Sequence, residues 1–154
     1  MRELSVASWV ATIGVGLALF STWLARRSRN GRGQGRKRFR LSLIVSHLTL
    51  GFVGLGAWLA FLATDLSSLK WASAAVLVVV LSLGSVQFNM WRSRRLGRLR
   101  ATPKSWDLPP LPARDGEIPP EQHFPVAVVV LHGLFAGVTA VFVALVIAGG
   151  DKWL

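Results

Sequence analysis

The sequence predicts an all-α membrane protein, with four transmembrane helices arranged as two tandem hairpins, and three observations carry that expectation. Four apolar runs free of Lys, Arg, Asp and Glu cover residues 4–25, 41–64, 71–91 and 124–150. Each is long enough for a helix rising about 1.5 Å per residue to cross a hydrocarbon core about 30 Å thick, which takes roughly 20 residues. Charge is confined between the runs, with 15 of the 18 Lys and Arg residues falling in segments 26–40 and 92–123. The 154 residues, 52% hydrophobic, read as a single four-pass domain, 1–154, with no separate soluble part.

In chain order, the first span is preceded by Arg2 and Glu3 and followed by a run of arginines. That is the reverse of a cleaved secretory signal, so the span is expected to be kept as an anchor. Its small residues Ala7, Ala11, Gly14, Ala18, Ser21 and Ala25 recur at alternating steps of 4 and 3, which predicts a seam for close helix packing. The second span carries His47 near its start, with Gly51 and Gly54 one and two turns on. A short turn over 65–70 leads to the third span, where Ser82 and Ser85 lie at comparable depth. Pro125 opens the fourth, where its missing N–H is harmless, and His132 and Gly133 follow. Gly133, Gly137, Ala140 and Ala144 predict a second close-approach face. Six tryptophans, Trp9, Trp23, Trp58, Trp71, Trp91 and Trp153, fall near the expected interfaces and read as anchors.

The net charge of +11 would point to nucleic acid in a soluble chain, but its position overturns that reading. Lys and Arg mark cytoplasmic loops, so 26–40 and 92–123 are expected inside, and both termini and the 65–70 turn outside. The same cations suit anionic lipid headgroups. Arg outnumbers Lys 14 to 4, which fits a high-GC bacterial genome and a bacterial inner membrane. Gly31-Arg32-Gly33-Gln34-Gly35-Arg36 lacks the strand before and helix after that a phosphate cradle needs. Six of the seven prolines lie between residues 103 and 120, making that stretch extended rather than folded.

Most chemistry is excluded by composition. There is no cysteine, hence no disulfide, thiol nucleophile or thiolate metal site. No span holds a carboxylate, which removes paired-acid catalysis and carboxylate proton relays. No Ser, His and Asp set assembles within the spans, and two histidines without an acid or thiol make a poor zinc site. His123 reads as a solvated interface residue, and beyond Gln87 and Asn89 the spans offer little polar lining for a channel.

What remains is His47 and His132, the only ionisable side chains within the four spans. Both host spans start on the basic side, and both rings fall roughly 10 to 12 Å below that boundary at about 1.5 Å per residue. Intramembrane ionisable groups are functional-site candidates by default. The sequence alone favours a cofactor-free contact between helices in a small, non-enzymatic accessory or interaction subunit, its partner another membrane protein or a second copy. The competing reading is a single haem b held by both imidazoles, with Gly51, Gly54 and Gly133 giving the macrocycle a flat face. Ser82 and Ser85 would then orient the rings, and Arg40, Arg92 and Arg94 would meet the propionates. On the two histidines and the helix count, the chain resembles small four-helix b-type cytochromes, though many of those carry two histidine pairs and this chain one. A quinone headgroup on one histidine is a third reading.

Overall fold

The computed structural model describes residues 1–29, 41–100 and 124–149. These form four helices: α1 (Arg2–Arg29), α2 (Leu41–Thr64), α3 (Ser67–Arg100) and α4 (Val126–Ile147). All four are long and apolar enough to cross a membrane. The glycine-rich 31–36 segment, the Pro-rich stretch, Arg40, His123 and Trp153 lie outside the described residues.

The apolar runs locate the helices but understate two of them. α1 continues through the arginines to Arg29, and α3 runs on to Arg100, into what hydropathy assigns to a loop. Hydropathy reports where apolar side chains end, whereas Arg, Leu and Met favour helix and keep the backbone ladder going. The ends that are abrupt have local causes. α2 stops where Asp65 takes a left-handed conformation, φ 52°, and its N–H returns to Phe61 O at 2.8 Å. α4 starts after extended Pro125 and stops before Gly149, whose φ of 86° suits a residue without Cβ.

Packing does not follow chain order. The extensive interfaces are α2 with α3 and α1 with α4, while α1 touches α2 less and α3 touches α4 less still. The helices joined by the long basic segments, α1 to α2 and α3 to α4, are therefore not the closely packed pairs that tandem hairpins imply. An ion pair between Arg2 and Asp65, 3.1 Å, sets the start of α1 beside the α2–α3 turn.

Two of the expected packing faces are also displaced. In the small-residue seam of α1, Ala7, Gly14, Ala18, Ser21 and Ala25 lie on the outer surface and Ala11 is half-buried. α1 instead buries Ser5, Ser8, Trp9 and Trp23. Gly133, Gly137 and Ala144 of α4 are likewise exposed, and nothing lies within 4 Å of a Cβ built on either glycine. Large rings fill the centre of this bundle, beside other small residues, Ser5, Gly54 and Ser73, that are buried between helices. Trp9, Trp58, Phe61, Leu77, Val143 and Val146 form a closed core at the end of the Arg2–Asp65 pair. Trp58 is fully buried because its indole N–H has a partner, donating to Ser5 Oγ at 2.9 Å. Of the expected interfacial anchors among the described residues, Trp9, Trp23, Trp58 and Trp91 are therefore interior and Trp71 is exposed.

Candidate functional site

Beyond the apolar core, towards the basic end, the two helix pairs part around a half-enclosed cavity of about 560 Å³ lined by all four helices. His47 enters it from α2 and His132 from α4, with ring centroids 6.2 Å apart and planes at 70°. The two histidines that the sequence singles out are thus brought together. They do not hydrogen-bond each other.

Each ring is held from the partner helix of its own pair. His47 Nδ1 donates to Val80 O of α3 at 3.1 Å, and His132 Nδ1 donates to Thr12 O of α1 at 3.1 Å. A carbonyl only accepts, so Nδ1 carries the proton and the neutral ring offers its lone pair at Nε2. Neither Nε2 has a hydrogen-bond partner among the described residues. Ser82 and Ser85 do not fill the orienting role: their hydroxyls donate to Val78 O and Leu81 O of their own helix, and both are exposed.

A glycine makes each of these bonds reachable. One turn after Val80 stands Gly84, and one turn after Thr12 stands Gly16. A Cβ built on Gly84 would lie 3.1 Å from His47 Cε1, and one on Gly16 would lie 3.0 Å from His132 Cε1. Any side chain there would occupy the space of the imidazole. Of the glycines expected to make a flat face, Gly51 lines the cavity, buried yet with nothing within 4 Å of a built Cβ, and Gly133 lines it too. Gly54 does neither: its Cβ would meet Trp9 Cζ2 at 2.9 Å and Val76 Cγ1 at 3.1 Å, so it serves helix packing.

The lining repeats itself. Thr12, Gly16, Phe20 and Trp23 of α1 correspond to Val80, Gly84, Phe88 and Trp91 of α3 at a constant spacing of 68 residues, and His47 and Gly51 of α2 correspond to His132 and Ala136 of α4 at 85. The bundle thus has an approximate two-fold arrangement about the histidine pair. Phe20 packs on Trp23 at 6.1 Å and Phe88 on Trp91 at 5.7 Å. Aligned at these spacings the sequence contains the signal for Gly16, Gly84, Trp23 and Trp91; without the spacing, each is an ordinary membrane-helix residue.

The arrangement can be tested against a metal-centred group. A metal–imidazole bond of about 2 Å on each side, with about 1.1 Å from nitrogen to ring centre, puts two imidazoles on one metal roughly 6.3 Å apart. The observed 6.2 Å meets that spacing. Among the described residues no group of three or more His, Cys, Asp or Glu is close enough to share an ion, so the donor set here is two imidazoles alone. Two axial nitrogens suit an iron whose other four positions come from a macrocycle. At the basic end of the cavity Trp91 is 6% exposed, and its indole Nε1 has no hydrogen-bond partner among the described residues. A buried donor left unmatched costs about 1 to 3 kcal/mol, which makes it a place where a ligand acceptor is welcome.

Compared with known proteins, the chain matches no family model, no curated protein and no solved structure.

Proposed function

We propose that this chain is a small integral membrane cytochrome that carries one haem b between its two helix pairs, with His47 and His132 as axial ligands. The observation that carries the reading is the imidazole pair itself: centroids 6.2 Å apart, each ring fixed through Nδ1 to a carbonyl of the facing helix, across a cavity of about 560 Å³. That volume lies within the range of about 300 to 1,000 Å³ usual for cofactor sites. A cofactor-free contact, the reading that the sequence alone favours, has less support from this geometry, since the rings make no bond to one another and the helix pairs part where they meet.

When bound between His47 and His132, the haem would supply one-electron chemistry. The protein's own work is positioning. Val80 O and Thr12 O fix the tautomer and the plane of each ring, which is the usual outer device for holding a metal-binding histidine. Gly16 and Gly84 keep room for the rings, and Gly51 and Gly133 keep bare backbone along the cavity. Leu77, Leu81, Val129 and Ile44 wall the space with apolar surface. With both imidazoles on the iron no position would be left for a substrate, which favours electron transfer over substrate turnover. The test is an optical spectrum of the protein purified in detergent from haem-sufficient cells. The expected result is the sharp reduced bands of a six-coordinate b haem at one haem per chain; a colourless protein that takes up no added haem rejects the reading.

The orientation proposed for the chain follows from charge. Both extended helix ends, at Arg29 and Arg100, emerge at the cavity end of the bundle, and the positive-inside rule assigns that end to the cytoplasm of a bacterial inner membrane. Reporter fusions after residue 30 or residue 105 are expected to report the cytoplasm, and a fusion at Leu154 the outside. A cytoplasmic C-terminus would move the site to the other leaflet.

A further inference from the structure

We infer that Trp91 donates its indole N–H to a haem propionate, and that the cofactor therefore lies with its two carboxylates towards the basic end of the bundle. This rests on the haem reading above and extends it to a carboxylate-binding subsite. Trp91 lines the cavity, is more than nine-tenths buried, and its Nε1–H, a donor only, has no acceptor among the described residues. Its position along α3 is right for the purpose. Seven residues separate it from Gly84, on which the His47 ring rests, so it stands about 10.5 Å further along the helix axis, comparable to the reach from a haem iron to its propionate carboxylates.

Charge agrees with that direction. The Arg95 guanidinium sits over the Trp91 ring, 5.6 Å from its centre, and α1 and α3 both run into arginines at this end. The opposite end of the cavity is walled by Trp9 and Leu77 and by Thr139, whose hydroxyl is engaged with Phe135 O and Thr12 Oγ1. Apolar methyl and vinyl edges belong there. Symmetry gives the same answer. A haem carries both propionates on one edge, one either side of an axis through the iron, and the bundle places Trp23 and Trp91 one either side of its own approximate two-fold axis, at the same end of the cavity.

The experiment compares two cofactors and two proteins. Full-length protein and its Trp91→Phe variant, which keeps the ring and loses the donor, are each titrated in detergent with iron protoporphyrin IX and with its dimethyl ester, whose carboxylates are masked. The unaltered protein is expected to prefer the free acid by about tenfold or more, the size of a charge-assisted hydrogen bond. Trp91→Phe is expected to erase most of that preference while its affinity for the ester stays unchanged, which also shows that the variant is folded. If Trp91→Phe weakens both cofactors equally, the ring is only packing and the subsite is wrong. If the unaltered protein binds both cofactors equally, the subsite is wrong whatever the variant does. Failure of the haem reading is separate and recognisable: neither cofactor then gives a six-coordinate spectrum with the unaltered protein, and the subsite falls with it.

Discussion

Replacing either His47 or His132 by Ala is expected to abolish the six-coordinate haem spectrum altogether, although a single methyl takes the place of each ring. The reason is geometric. The two imidazoles enter from different helix pairs, and no other His, Cys or Met lies among the cavity-lining residues to take a vacated axial position. Loss of one ligand leaves a five-coordinate iron or an unbound cofactor, and the two substitutions should act alike because the two sites are near-copies, each with one bond of 3.1 Å to a facing carbonyl. Purified variants examined by reduced-minus-oxidised difference spectroscopy give the answer directly. Sharp six-coordinate bands surviving in His132→Ala would falsify bis-histidine ligation.

Nearly as large an effect is expected from glycines that bear no ligand. Gly84→Leu and Gly16→Leu place a branched side chain where the Cβ alone already comes within 3.1 Å and 3.0 Å of a histidine Cε1. The ring must then leave its carbonyl or the helix pair must open. Overpacking of this kind costs about 1 to 3 kcal/mol even where a core adapts, and here the adaptation itself displaces the ligand. Haem content should fall to a small fraction of the unaltered protein, with the Ala variants intermediate. Gly14→Leu and Gly137→Leu serve as controls, because a Cβ on either meets nothing within 4 Å. Full haem occupancy in Gly16→Leu and Gly84→Leu would show that the rings do not rest on these glycines.

The four helices were legible in the sequence because each is a long run without charge, and the histidines stood out because nothing else ionisable shares those runs. Which faces touch was not legible. In α1 the regular steps of Ala and Gly suggested a packing seam, yet all of those residues but the half-buried Ala11 are exposed, and Ser5, Trp9 and Trp23 face in. An apolar helix meant for lipid has no polar side to mark its exterior, so hydrophobic periodicity loses the contrast that makes it informative in water. Helix pairing was hidden for the same reason. The backbone carbonyls of Thr12 and Val80 leave no trace in any single residue type, and they take the part that hydroxyls at Ser82 and Ser85 would more readily suggest. Gly16 and Gly84 become visible as a pair once their common spacing from Trp23 and Trp91 is noticed.

The pairing of α1 with α4 also sets a timetable. The chain is made from its N-terminus, so of these four helices α1 emerges first and its principal neighbour, α4, last. α2 and α3, joined by the Asp65 turn, meet at once, and His47 can dock on Val80 before α4 is made. Thr12 and Gly16, by contrast, wait through the synthesis of everything between them and His132. Long-range closure of this kind comes late because the intervening chain must first be ordered. The nascent protein therefore has His47 docked and lacks its counterpart until α4 is made, so that the two imidazoles come to face each other only after both helix pairs have closed.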